Sequence, residues 1–187
     1  MISLPCSSYQ RPMYTADSVA SIDFKAMGRE AEYWMFDLDG VLAAALRSDL
    51  HQDSVNNIQS ALANGWIRAA CIISNATLPI FSRRVANLAG RCGLPHLSCH
   101  WPYPMKPSLK AFDTAAALIA PAGSDRSRIM MVGDQLGTDM AARRHGYKTL
   151  LVPTLEPIPW WKQWKHNKED QIRRDLVVIF PCELRRG

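Results

Sequence analysis

The 187-residue chain has no apolar run approaching the ~18 residues of a membrane span. That argues against an integral membrane protein. It shows no repeat at the 20–50-residue period of a solenoid. No charged-apolar-small signal pattern opens it, and its five cysteines (Cys6, Cys71, Cys92, Cys99, Cys182) are odd in number and scattered. Reduced thiols in a reducing compartment are therefore expected. The first 16 residues lack any acid and show no clear periodicity. They read as an N-terminal arm, either mobile or packed on the domain edge.

What is present is a globular balance, 48% apolar and 21% charged, enough for one domain with a real core. A single domain over 1–187 is expected. The net charge of +5 is uneven: residues 1–139 carry 12 basic and 12 acidic side chains, residues 140–187 carry 10 and 5. Residues 154–187 form a Pro/Trp/Lys-rich extension in which Trp160, Trp161 and Trp164 interleave with Lys162, Lys165 and Lys168. Such a segment suits a last helix packed on the domain or contact with an anionic surface.

From Tyr33 onward, strands alternate with helices. Tyr33–Phe36, Ile67–Ile73, Arg128–Val132 and Lys148–Val152 read as strands. Helices are expected after Ser54 as a cap, over Leu78–Ala89 to a stop near Gly90, from Pro107 to Ile119, and over Thr138–Arg144. That alternation predicts an α/β fold with a doubly wound parallel sheet, whose ligands bind beyond the carboxyl ends of the strands. Three of the expected strands end in Asp37, Ser74 and Asp134.

Asp37 and Asp39 bracket a turn, so one carboxylate can attack while the other exchanges a proton. Ser74 and Asn75 offer a hydroxyl and N–H groups for phosphate oxygens. Lys106 precedes a helix start, where anions are attracted. Asp134 and Asp139 flank a Gly-containing loop and suit Mg²⁺, which prefers carboxylates, water and phosphate. Asp139 can equally cap the helix that follows. Cys92, His96, Cys99 and His100 lie close together, but their spacing has no Cys-x2-Cys pair. The favoured reading has Cys92 packed at a helix end and His96 at a strand edge.

The order D-x-D, Ser, Lys, G-D-x-x-x-x-D resembles the haloacid-dehalogenase-like (HAD) phosphatase superfamily. The resemblance implies a Rossmann-like core and Mg²⁺-dependent phosphoryl transfer through an aspartyl-phosphate. It implies Asp37 as nucleophile and Asp39 as acid/base. Ser74, Asn75 and Lys106 would bind phosphate. Asp37, Asp134 and the Asp39 carbonyl would ligate Mg²⁺, and Asp139 would orient the lysine or a metal-bound water. The 34 residues between Asp39 and Ser74 and the 31 between Ser74 and Lys106 leave no room for a folded cap.

Longer stretches, Tyr14–Asp23, Val132–Asp139 and Leu151–Pro157, are similar to YqeG-type phosphatases of subfamily IIIA. This family includes phosphatidylglycerophosphate phosphatases. The chain departs from that family at Gly40-Val41, where Asn-Thr is usual. The expected partner is a phosphorylated substrate, with a lipid headgroup at an anionic membrane surface as the leading candidate. Soluble phosphomonoesters, phosphoproteins and a catalytically silent binding role are the alternatives, and no nucleic-acid partner is expected. The expected location is the cytoplasm or an organelle interior, with peripheral membrane attachment as one form of it.

Overall fold

The computed structural model describes residues 12–156 apart from 77 and 103. Residues 1–11, and the Trp/Lys-rich part of the extension from 157 onward, lie outside the described residues. The elements in chain order are β1 (Tyr14–Thr15), α1 (Phe24–Met27), β2 (Tyr33–Phe36), α2 (Gln52–Ala63), β3 (Ala69–Asn75) and α3 (Pro79–Cys92). They are followed by β4 (His96–Cys99), α4 (Leu109–Ala116), β5 (Ile129–Gly133) and β6 (Lys148–Leu151). A 3₁₀ segment, Met140–His145, joins the last two strands.

The six strands form one sheet in the order β1-β6-β5-β2-β3-β4, and every pair is parallel. This is the doubly wound sheet expected from the alternation. Both faces are buried, as the strand sequences require. Trp34 and Phe36 of β2, Ile72 of β3 and Val132 of β5 pack into one core layer with α2 and α3. Their alternates Tyr33, Met35, Cys71, Ile73 and Met131 pack into the other with α4. Successive side chains point to opposite faces of a strand, so a run without polar alternation must be covered on both sides.

Strand order reverses between β2 and β5, with all strands parallel: one neighbour series runs β2-β3-β4, the other β5-β6-β1. At such a switch point, connections diverge to opposite faces and leave a crevice at the carboxyl ends. Only a loop and α2 lie between β2 and β3, and only α3 and β4 between β3 and Lys106. The core is capless. No helix among the described residues is long and apolar enough to cross a membrane.

Several boundaries differ from the sequence reading. Met13 N–H donates to the Thr149 carbonyl and Ala16 N–H to the Leu151 carbonyl, both at 3.1 Å. Residues 13–16 thus extend the sheet at its edge. Ser54 does not cap α2; His51 occupies that position, and Ser54 is buried in the first turn with its Oγ 2.8 Å from His51 Nδ1. The helix α3 runs through Gly90 to Cys92, because Leu88, Ala89 and Cys92 continue its buried stripe. It stops at Gly93, whose φ of 65° favours glycine. Pro107 lies ahead of α4, which starts after Ser108. The last expected helix is a 3₁₀ segment, and β1 and β4 were not legible as strands.

Candidate active site

The functional candidates converge because their strands end side by side. Asp37 follows β2, Ser74 and Asn75 end β3, and Asp134 follows β5, the two central strands being hydrogen-bonded neighbours at the switch point. Asp37 N–H donates to the Val132 carbonyl at 2.9 Å, which extends the β2–β5 ladder to the acid itself. The hydrophobic strand therefore fixes the backbone of the reactive residue.

Lys106 reaches into this cluster from the segment before α4. Its Nζ lies 3.0 Å from Asp37 Oδ1 and 2.6 Å from Asp139 Oδ1, with side-chain exposures of 1%, 7% and 0% for Lys106, Asp37 and Asp139. Asp37 Oδ1 also accepts from Leu38 N–H at 2.7 Å, and Asp139 Oδ2 accepts from Gln135 N–H at 3.1 Å. Asp139 makes no cap bond to the segment it precedes. Its two oxygens hold the lysine and the loop instead.

Asn75 serves the same lysine. Its Nδ2 donates to the Lys106 carbonyl at 3.0 Å, and its Oδ1 accepts from Lys106 N–H at 2.9 Å. The Asn75 side-chain amide is thus spent on the Lys106 backbone, whereas the phosphate contact expected at Ser74-Asn75 is through the Ser74 hydroxyl and backbone N–H groups. Ser74, one residue earlier, is buried at the end of β3.

Two glycines allow the close packing. A Cβ on Gly133 would stand 2.2 Å from Asp139 Cβ, and a Cβ on Gly40 would stand 2.4 Å from Asp134 Oδ2. Gly40 also has φ +90°, disfavoured for other residues. The Gly40-Val41 departure from the usual motif therefore has a steric reason in this chain. Thr154, just past β6, donates its hydroxyl to Asp134 Oδ2 at 2.7 Å.

Oxygens of Asp37, Asp134 and Asp139 all lie within 4.8 Å of one another. Burial pushes the Asp37 carboxyl well above the usual carboxylate range, Asp139 and Asp134 push it further, and Lys106 opposes them. Burial works against the Lys106 ammonium, but Asp139 and Asp37 outweigh it and hold it above its ordinary value. Three buried carboxyl groups surround the Lys106 ammonium, and an all-oxygen donor set of this kind fits a hard divalent cation such as Mg²⁺. Asp37 and Asp134 are the better-placed ligands, since both Asp139 oxygens already accept.

The Asp39 carboxylate stands apart from this cluster. It pairs with Arg84 of α3, at 3.0 Å from Nη2 to Oδ1 and 3.2 Å from Nη1 to Oδ2. Leu46 N–H also donates to Asp39 Oδ1 at 3.0 Å. The metal contact expected of Asp39 concerns its backbone carbonyl, while its carboxylate is held by Arg84 and Leu46 N–H. Sequence reasoning missed Arg84 and Thr154. Thr154 follows a strand at the same sheet edge, a usable signal; Arg84 sits mid-helix and gives none.

The Cys/His group does not assemble. Cys92 packs in one core layer and Cys99 in the other, on opposite faces of the sheet, while His96 is exposed at the start of β4. Among the described residues the three aspartates are the sole potential metal cluster.

Residues 105–156, from Lys106's approach through Asp134 and Asp139 to Thr154, match the family model described as HAD-hydrolase-like. No curated protein matches the chain. Fold, aspartate cluster and matched segment are together consistent with an HAD-type hydrolase domain that acts on phosphomonoesters.

Proposed function

We propose that the chain is a Mg²⁺-dependent phosphomonoester hydrolase that works through an aspartyl-phosphate on Asp37, with phosphatidylglycerophosphate as substrate. The observation that carries the reaction is the buried Asp37–Lys106–Asp139 array beside Asp134 at the switch point. Lys106 and Leu38 N–H hold one oxygen of Asp37 and so aim its carboxylate. Asp37 attacks phosphorus, an Asp–O–P bond forms, and the ester P–O bond breaks. Asp39 supplies the proton the leaving alkoxide needs, then takes one from the water that cleaves the acyl phosphate. Arg84 fixes where that acid sits. Mg²⁺ bound by Asp37, Asp134 and the Asp39 carbonyl would supply positive charge to offset the phosphate dianion.

The lipid assignment rests on the stretches similar to YqeG-type enzymes and on the open, capless site. A small metabolite needs enclosure, whereas a headgroup fixed in a surface does not. The test is Mg²⁺-dependent phosphate release from phosphatidylglycerophosphate vesicles, beside an aryl phosphate, for wild type and Asp37→Asn. Turnover of the lipid by wild type, lost in the variant, is expected because an amide is a poor nucleophile. Turnover of the aryl phosphate alone discards the lipid. An active Asp37→Asn variant discards the mechanism.

A further inference from the structure

Exposed large apolar side chains are not scattered evenly over the described residues. Leu46 (44% exposed), Leu78 (55%), Ile80 (69%), Trp101 (82%) and Leu109 (37%) all stand at the carboxyl edge of the sheet. Leu46 is in the loop after β2, Leu78 and Ile80 open α3 after β3, Trp101 follows β4 by two residues, and Leu109 opens α4. The other such residues, Met13, Trp66 and Leu118, lie toward the amino edge. The rim is thus concentrated around the mouth of the site, where a soluble substrate needs no apolar collar. Clusters of this kind mark contact surfaces, whereas single exposed apolar residues do not.

Leu46 shows that the rim is held outward at a conformational cost. Its φ is +64°, a region unfavourable for a branched side chain, and its N–H is committed to Asp39. The loop that anchors the acid/base thereby presents a leucine to solvent beside the exposed Arg47.

Charge selects the occupant. Arg47 in the loop after β2 and Arg83 near the start of α3 are exposed basic side chains at this edge, and α3 carries no acid. Leu155 N–H donates to the Gly40 carbonyl at 2.8 Å at this mouth. Beyond Glu156 the sequence holds Trp160, Trp161, Trp164, Lys162, Lys165 and Lys168 before its next acid, Glu169. Tryptophan favours the membrane interface and lysine favours anionic headgroups. We infer that the apolar rim formed by Leu46, Leu78, Ile80 and Trp101 is a docking surface for an anionic lipid bilayer, which brings the mouth of the site against the headgroups. The inference rests on the phosphatase reading above, with lipid as the carrier of the phosphate.

The experiment separates docking from turnover. Binding of the full chain is measured by co-sedimentation with vesicles of phosphatidylglycerol and phosphatidylcholine, which contain no phosphomonoester. Turnover is measured separately on an aryl phosphate and on phosphatidylglycerophosphate in detergent micelles. The variants are Leu78→Ser/Ile80→Ser/Trp101→Ser and, at the amino edge, Leu118→Ser. Wild type and Leu118→Ser should bind these vesicles, and neutral phosphatidylcholine vesicles more weakly. The triple variant should bind about tenfold or more weakly, with aryl phosphate turnover unchanged. Undiminished binding by the triple variant, equal binding to neutral vesicles, or no binding by wild type overturns the proposal. A wild-type dimer that the triple variant dissociates would give the rim to a second copy instead. Failure to turn over micellar lipid with vesicle binding intact would count against the substrate, not against the surface.

Discussion

Replacing Lys106 with Met removes the cation that pairs with Asp37 and Asp139 while keeping most of the side-chain volume. The ammonium sits 3.0 Å from Asp37 and 2.6 Å from Asp139. At an effective dielectric constant of about 20, each contact is worth roughly 5–6 kcal/mol of Coulomb attraction. Desolvation of the three ions takes back much of this, and removing one partner of a buried pair typically costs about 3–5 kcal/mol. For a chain of this size that corresponds to a fall in melting temperature of about 6–20 °C. The loss should be measured by thermal and urea denaturation in EDTA.

The pH dependence follows from the same charges. The folded-state pKa of Asp37 is raised by burial and by its acidic neighbours. A raised carboxyl favours the folded state at low pH, and that contribution is lost as pH rises above the ordinary carboxylate value. Without Lys106 to oppose it, the upward shift grows. The deficit of Lys106→Met should therefore be largest at neutral pH and above and shrink toward pH 4. Mg²⁺ should recover more stability in the variant than in wild type, because it meets a more negative cluster; saturation at a hundred times Kd gives about 2.7 kcal/mol for any such ligand. Turnover should stay lost in both media. A variant as stable as wild type in EDTA, with the same response to Mg²⁺, would refute the reasoning.

Other substitutions probe the remaining contacts. Gly133→Ala places a methyl 2.2 Å from Asp139 Cβ; it should cost about 1–3 kcal/mol in urea denaturation and lower Mg²⁺-dependent turnover together with stability. Arg84→Met frees the Asp39 carboxylate; kcat should fall about ten- to a hundredfold with KM for an aryl phosphate little changed, whereas a parallel rise in KM would mark Arg84 as a substrate ligand. Burial pushes the Cys99 thiol up to about 11 and Cys71 higher still. In the folded protein at pH 8, both should resist an aromatic disulfide reagent that labels them after denaturation, as peptide mapping would show; fast native labelling would contradict their burial.

The sequence made legible what depends on local order along the chain. A parallel sheet could be read from Tyr33–Phe36, the Ile67–Ile73 run and Arg128–Val132, because strands buried on both faces lack polar alternation. The acids could be read because each follows such a strand. Two-residue β1 is too short to show a period and is placed by β6, which lies over 130 residues further on, and four-residue β4, His-Leu-Ser-Cys, lacks the unbroken apolar run of the equally short β2. Ser54 illustrates the limit of capping rules: a good capping residue lost its place to His51 because its own position faces the core.

The site divides along the same line. Asp37, Ser74 and Asp134 could be named in advance because strand ends place them, and Lys106 and Asp139 because they precede expected helix starts, but their partners could not. The Asn75 side chain clamps the Lys106 backbone, a contact that depends on how the segment before α4 returns to β3. Arg84 meets Asp39 across 45 residues, and only the packing of α3 against the loop after β2 brings them together. The same packing turns Leu46 outward and commits its N–H to Asp39. One loop therefore both holds the Asp39 carboxylate and supplies Leu46 to the apolar rim. On the proposed reading, a substrate phosphate presented at the rim would meet a carboxyl group already oriented by that loop.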